Sequence, residues 1–196
     1  MTDFLMTAIY KAMKKIMNTK TAGQSGFTLI ELLVTLAVVA VLIMVGIPSF
    51  ADLMKNNRVA TQTNALMRSL QLARSEAVKR GRQVTVCKSA DQIACIATGD
   101  WDQGWIIFVD NNGDGVIDAG ESIVRVQATL PSSYTIKVGA HFDDWVGYLP
   151  SGRTDGSGSL GNDTFKICAD NDVNYSRHII VSVSGRVRMK VGNACS

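Results

Sequence analysis

The residues best suited to bind an ion lie in one acidic segment, which reads DNNGDGVIDAGE over residues 110–121. It fits the pattern of an EF-hand calcium loop, with a glycine at the sixth position and oxygen-bearing side chains at Asp110, Asn112, Asp114, Asp118 and Glu121. An EF-hand loop joins two helices, whereas the flanking GWIIFV and SIVRVQ have strand character. We therefore predict a hairpin loop and assign no metal, with calcium binding as the alternative, because Asn, Asp and Gly also suit tight turns.

A basic set of residues lies at the other end of the chain. Residues 174–196 contain Arg177, Arg186, Arg188 and Lys190 and no acidic residue, which gives a net charge of +4. On a strand, Arg186, Arg188 and Lys190 project from one face, and Arg177 could extend the patch. Such a row suits a phosphate backbone, because guanidinium groups bind phosphate bidentately and each contact releases counterions. The alternative is a solvated outer face, made basic to discourage pairing at the edge of a sheet.

Nothing in the sequence indicates an enzyme or a cofactor. The two histidines, His141 and His178, are isolated, no serine lies in a nucleophile-elbow pattern, and no glycine-rich phosphate loop is present. The chain of 196 residues is too short for two ordinary enzyme domains. With 19% charged and 7% aromatic residues it is also unlike a disordered chain.

The mean hydropathy of +0.13 is high for a soluble protein, and the excess lies near the N-terminus. The 25 residues 27–51 carry one charge, Glu31, and a helix rising ~1.5 Å per residue would cross a ~30 Å hydrocarbon core. Lysines precede this segment, which predicts a cytoplasmic N-terminus and an exported C-terminal part (Lys11, Lys14, Lys15 and Lys20). A lone carboxylate in such a helix is costly in lipid, so Glu31 is a candidate functional residue.

In an oxidising compartment the four cysteines form disulfides. Three pairings of Cys87, Cys95, Cys168 and Cys195 are possible. We favour Cys87–Cys95 and Cys168–Cys195, because each closes a local loop and the second would hold the C-terminus. The cysteines include no CxxC pair, which argues against structural zinc.

The elements that position these residues follow from periodicity. One face of an amphipathic helix is indicated by Val59, Leu66, Leu70, Ala73 and Ala77, and Gly81 is a candidate C-cap. We therefore predict one long helix over residues 27–80, with a kink near Pro48. From residue 82 the period becomes two. Eight strands are predicted, at 83–88, 104–109, 122–127, 134–138, 145–149, 164–168, 178–183 and 186–191. The fold class is therefore α+β, with an antiparallel sheet packed on the second half of the helix.

The N-terminal string GFTLIELLVTLAVV, residues 26–39, resembles the class III signal of type IV pilins and type II secretion pseudopilins. The resemblance implies a leader at 1–26, cleavage by prepilin peptidase between Gly26 and Phe27, and N-methylation of Phe27. It implies a transmembrane and filament-core helix at 27–51, an amphipathic second half at 52–81 and a periplasmic β domain at 82–196. Glu31 matches the family's glutamate at the fifth mature position. Physically, its carboxylate could neutralise the N-terminal ammonium of a neighbouring subunit, which would offset the cost of both buried charges.

The soluble half resembles the GspH/FimT group of minor pilins, through LARSEAVKRGRQVTVC (72–87), GDWDQGWIIFVDNNGDG (99–115) and SGRVR (184–188). The resemblance implies the type IV pilin fold, other pilins as partners, an inner-membrane location and then the pilus. In some FimT-like proteins a GRxR motif is associated with DNA capture during natural transformation. Residues 185–188 match it, so the resemblance implies double-stranded DNA as a partner. A purely structural minor pilin and a type II secretion pseudopilin remain as alternatives.

The net charge of +3 belongs to the predicted leader, whose four lysines outnumber Asp3. The remaining chain has 16 basic and 16 acidic residues. Residues 52–90 carry eight basic and two acidic residues, and residues 91–150 carry two basic and nine acidic ones. The C-terminal basic set is therefore the part of the sequence that argues for an acidic partner.

Overall fold

The structure is a computed structural model that describes residues 26–158 and 161–195. It divides into two compact units, Met1–Pro48 and Ser49–Ser196, which we describe separately. The predicted leader lies outside the described residues except for Gly26, so its removal stays a prediction.

The first unit contains the beginning of a long helix, α1 (Leu29–Arg80). Thr28 caps this helix, because its Oγ1 accepts the backbone N–H of Glu31 at 3.2 Å. Every described residue from Gly26 to Met44 is exposed. Within the described residues, α1 is the one helix long and apolar enough to cross a membrane, judged by length and composition alone.

In the second unit, α1 buries the face that the sequence predicts. Val59, Leu66, Leu70, Ala73 and Ala77 are all fully buried and belong to the main hydrophobic core. Gly81 ends the helix with a φ of +65° and donates its N–H to the Ala77 carbonyl at 3.0 Å. The predicted amphipathic helix and its stop signal are confirmed.

In the part of the chain that the structure describes, nine strands follow the helix, and they form two antiparallel sheets. They are β1 (Gln83–Lys88), β2 (Trp105–Asp110), β3 (Ile123–Gln127), β4 (Tyr134–Lys137), β5 (Trp145–Tyr148), β6 (Thr154–Gly156), β7 (Asp163–Ala169), β8 (Asp172–Val181) and β9 (Val187–Val191). The five-stranded sheet has the order β3-β2-β1-β5-β6, and the four-stranded sheet has the order β4-β7-β8-β9. The eight predicted strands are all present. The sequence predicted one sheet, whereas the strands form two.

The five-stranded sheet is covered on both faces. Alternate residues of β2 point into the main core, among them Trp105 and Ile107, while Ile106 and Phe108 pack in a second cluster on the opposite face. That second cluster is completed by Cys87, Cys95, Ile117 and Trp145. The loops around the first disulfide and the acidic segment therefore shield the outer face of this sheet.

Candidate functional sites

The basic residues at the C-terminus lie on and beside an edge strand. Arg188 pairs with Ile180 and Lys190 pairs with His178 in the β8–β9 ladder, so both basic side chains project from one face of the sheet. Arg186 immediately precedes β9, and its carbonyl accepts the Ser182 N–H at 3.1 Å. All three basic residues are exposed. The register therefore places Arg188 and Lys190 on one face, as predicted, whereas Arg186 lies outside the ladder.

Arg177 does not join this row. In the ladder it pairs with Val191, one position out of phase with Lys190, so it lies on the opposite face of the sheet. Its guanidinium donates to the Ser176 carbonyl at 2.9 Å and to Asn56 Oδ1 at 3.4 Å. The prediction that Arg177 extends the patch was wrong, because successive side chains of a strand point to opposite faces of the sheet.

The start of β8 is bound to the helix by neighbours of Arg177. The Tyr175 hydroxyl donates to the Asp52 carboxylate, and the Lys55 ammonium lies 5.2 Å from the centre of the Tyr175 ring. Lys55 also forms an ion pair with Asp170 at 3.2 Å. The hydrogen bond to Asp52 raises the pKa of Tyr175 above its ordinary value of 10.0. Tyr175 and Arg177 therefore act in packing between helix and sheet.

The turn between β8 and β9 is held against α1 by Arg74. The Arg74 Nε donates to the Gly152 carbonyl at 3.1 Å, and its Nη2 donates to the Ser184 carbonyl at 3.0 Å. Gly185 has a φ of +75°, and a Cβ there would lie 1.9 Å from the Gly152 carbonyl oxygen. The glycine of the Gly185–Arg188 motif is thus required by the packing of two turns.

A groove separates the last turns of α1 from this hairpin. It has a volume of ≈ 560 Å³ and is lined by Gln71, Arg74, Ser75, Val78, Lys79, Gly185, Arg186 and Val187. This groove could not be predicted from the sequence, because no local pattern indicates which turn packs beside the helix.

The acidic segment is a loop between β2 and β3, and its carboxylates are bound within the domain. Asp110 is fully buried and accepts from the backbone N–H groups of Gly113 and Gly115 at 2.6 and 3.1 Å and from the Thr85 hydroxyl at 2.8 Å. Glu121 accepts the N–H groups of Asn111 and Asp118 at 2.7 and 3.0 Å. These bonds close the loop upon itself, as expected of a hairpin connection.

The other predicted calcium ligands lie on the exposed side of that loop. The Asn112 amide nitrogen is 2.8 Å from Asp114 Oδ2 and 2.9 Å from Asp118 Oδ2. Within residues 26–158 and 161–195, no three side chains of His, Cys, Asp or Glu converge as a metal-binding group.

Both favoured disulfides are present. Cys87–Cys95 joins β1 to the loop that covers the five-stranded sheet, and its Cα atoms are 5.6 Å apart. Cys168–Cys195 joins β7 to the C-terminal residues, with Cα atoms 5.8 Å apart. The second bond holds the segment after β9 against the sheet, where His178 Nε2 lies 2.9 Å from the Ala194 carbonyl.

Residues 62–185, more than half of the chain, match the family model described as Type II transport protein GspH. The chain belongs to the GspH family. Residues 21–47 of this GspH-family chain also match the model of the prokaryotic N-terminal methylation motif. A search of curated proteins found no significant match.

Solved structures of similar fold include the type IV minor pilin FimU of Pseudomonas aeruginosa PAO1. One crystal form is 22% identical with a TM-score of 0.51 and covers 75% of this GspH-family chain and 99% of FimU. A second is 23% identical with a TM-score of 0.50 and covers 71% and 99%. The minor pseudopilin EpsH of the Vibrio cholerae type II secretion system is 14% identical with a TM-score of 0.47 and covers 68% and 96%. The likeness to FimU shows the type IV pilin fold.

Membership of the GspH family gives the general role. The chain is a minor pilin or pseudopilin, a structural class of protein rather than an enzyme class. The residues that the resemblance marks for processing and assembly are all exposed: Gly26 and Phe27 directly precede α1, and Glu31 lies in its first turn. Their roles stay predictions.

Proposed function

We propose that the chain is a minor pilin of a type IV pilus that resides in the inner membrane before it enters the filament. Prepilin peptidase cleaves between Gly26 and Phe27, the new N-terminus is methylated, and residues 27–51 anchor the protein. The match of residues 21–47 to the methylation motif supports the processing and the membrane anchor, which pilins and pseudopilins share. Two disulfides in the folded domain support a periplasmic location, because thiols oxidise there.

Glu31 joins neighbouring pilin subunits in this proposal. Its carboxylate lies in the first turn of an exposed apolar helix. Placed among the helices of a filament, an unpaired carboxylate would be costly, and the N-terminal ammonium of an adjacent subunit would offset that cost. Glu31→Gln should therefore leave the domain folded and exclude the protein from filaments. Normal incorporation of this variant would contradict the role.

The C-terminal row of Arg186, Arg188 and Lys190 binds DNA in this proposal, for uptake during natural transformation. Support comes from two exposed basic residues on one face of the edge strand β9 and from the exposed Arg186 directly before it, in a stretch that contains no acidic residue. Alternating residues of a strand repeat every ~6.8 Å, so the row presents cations in a line along which a phosphate backbone can run.

The test of DNA binding uses the whole protein in nonionic detergent and a short labelled duplex. The wild type should bind with an affinity that falls as salt rises, and Arg186→Gln/Arg188→Gln should lower both the affinity and the salt slope. The control is Arg58→Gln/Arg125→Gln, which removes the same charge from exposed positions on α1 and β3. Equal binding by both double variants would rule out the row as the DNA site.

A second candidate is a pseudopilin of type II secretion, which the description of the matching family favours. The two candidates differ in the assembly that contains the protein. Recovery of the tagged chain with sheared pili supports the minor pilin. Recovery with secretion components alone, together with a secretion defect on deletion, supports the pseudopilin and overturns the first proposal.

A further inference from the structure

We propose that the groove between α1 and the β8–β9 turn holds the phosphodiester backbone of the bound DNA, contacted by Lys79 from the helix and by Arg186 from the hairpin. This inference rests on the DNA-binding function proposed above and extends its site to a second element of the fold. Lys79 lies outside the Gly185–Arg188 motif, so the motif alone does not indicate it.

The basic side chains at the groove suit a polyanion. Its volume is ≈ 560 Å³. Among the described residues that line it, three side chains are basic, namely Arg74, Lys79 and Arg186, and none is acidic. Gln71 adds an exposed amide that can donate to a phosphate oxygen.

Lys79 is available to a ligand. Its side chain is 77% exposed, and its ammonium lies 3.9 Å from Glu76, at the limit of an ion pair. The Glu76 carboxylate is instead bound by Arg80, and this hydrogen bond lowers the pKa of Glu76 below its ordinary value. Glu76 is therefore neutralised chiefly by Arg80, which leaves the Lys79 ammonium exposed beside the groove.

Arg74 fixes the distance between the two sides of the groove. Its guanidinium spends two donors on the carbonyls of Gly152 and Ser184. A guanidinium has five N–H donors, so three remain, and its positive charge adds to the field at the groove. Arg74 is thus a positioning residue that holds the hairpin beside the helix and keeps Arg186 opposite Lys79.

Arg186 belongs both to the groove and to the row that continues along β9. A backbone that enters beside Lys79 can pass Arg186 and proceed to Arg188 and Lys190 on the outer face of the strand. Binding across both elements predicts more phosphate contacts than the motif alone supplies. Each added contact steepens the dependence of affinity on salt.

The experiment measures binding of a short labelled duplex to the whole protein in nonionic detergent over a series of salt concentrations. Lys79→Gln should weaken binding severalfold and reduce the salt slope by about 1, as expected when one phosphate contact is lost. Lys79→Arg should bind like the wild type. Arg125→Gln, which removes one charge from the exposed β3 position, is the control and should change neither quantity.

A second pair of variants tests the groove without changing charge. Ser75→Trp places a bulky side chain at an exposed position that lines the groove, and should weaken DNA binding severalfold. Thr61→Trp makes a similar change at an exposed position further along α1, outside the groove, and should leave binding unchanged. Thermal unfolding of each variant confirms that the domain is intact.

The outcomes separate this inference from the proposed function. If Lys79→Gln and Ser75→Trp bind like their controls while Arg186→Gln/Arg188→Gln binds weakly, the groove is overturned and DNA binding by the β9 row stands. If the wild type does not bind the duplex at all, the proposed function fails and this inference fails with it. Weak binding by both groove variants with normal controls supports the groove.

Discussion

The Arg74 guanidinium donates from Nη2 to the Ser184 carbonyl at 3.0 Å, across 110 residues of sequence. The same side chain also reaches the Gly152 carbonyl, so one helix residue holds two turns at once. Arg186 directly follows the second of these turns. The contact that Arg74 makes from the helix therefore also fixes where the basic row begins.

Arg74→Ala should lower the free energy of unfolding by roughly 2–3 kcal/mol, because two hydrogen bonds from a charged donor are lost. Arg74→Lys should recover only part of this, since a lysine cannot reproduce the planar fork that serves both carbonyls. Denaturant unfolding in nonionic detergent measures the change. Arg68→Ala, at an exposed position of the same helix, is the control. Equal stabilities of Arg74→Ala and Arg68→Ala would mean that the two hydrogen bonds from Arg74 do not stabilise the domain.

Gly185→Ala should destabilise the domain more than Gly81→Ala. Both glycines have a similar positive φ, of +75° and +65°, so both alanines carry the left-handed strain of roughly 1–2 kcal/mol. A Cβ at position 81 meets nothing within 4 Å, whereas one at 185 would lie 1.9 Å from the Gly152 oxygen. Thermal unfolding compares the two. Equal melting temperatures of the two variants would mean that the close approach of the turns adds nothing to the cost of the substitution.

Removing the disulfide Cys168–Cys195 should cost more stability than removing Cys87–Cys95. The sequence separations are 27 and 8 residues, and the loop-entropy relation then predicts losses of about 3.6 and 2.5 kcal/mol. Double Cys→Ser variants, compared by denaturant unfolding, measure the difference of about 1 kcal/mol. The reverse order would mean that the loop covering the five-stranded sheet depends on its disulfide for packing.

Asp110→Asn should lower the melting temperature without any added ion, because the buried carboxylate accepts four hydrogen bonds that hold the start of the loop. Asp114→Asn, at an exposed position of the loop, should have a much smaller effect. We expect calcium to leave the melting temperature of the wild type unchanged. A calcium-dependent rise that Asp110→Ala abolishes would instead establish the loop as a calcium site.

The Glu76–Arg80 pair should contribute to the free energy of unfolding at neutral pH and lose this contribution at acidic pH. The hydrogen bond from Arg80 lowers the pKa of Glu76 below 4.5 in the folded protein. Its stabilisation is therefore complete above that ordinary value and is lost as the pH falls through the lowered pKa. The free energy of unfolding, measured from neutral to acidic pH, should fall less for Glu76→Gln than for the wild type. Parallel profiles would contradict this.

The sequence predicted those parts of the fold that repeat locally. The helix face from Val59 to Ala77 and eight of the nine strands follow from periods of 3.6 and 2, which depend only on near neighbours. The strand β6 was missed, because Thr154-Asp155-Gly156 is three residues long and has no apolar alternation. It becomes a strand by pairing with β5.

The candidate site was less predictable, because it depends on long-range register. Strand β8 begins at Asp172, six residues before the apolar stretch that predicted it, and this places Arg177 in a ladder opposite Val191. The alternation that groups Arg188 with Lys190 therefore excludes Arg177. The roles of Arg74 and Lys79 depend on contacts between α1 and a hairpin more than 100 residues away, which no local pattern contains.

The two covered faces of the five-stranded sheet have a consequence for local opening. Strand β1 has neighbours on both sides and buried residues on both faces, so its amide hydrogens should exchange with solvent only through global unfolding. Strand β9 lies at a sheet edge with four exposed residues, and its amides should exchange through small local fluctuations. Hydrogen exchange should therefore be slower at β1 than at β9.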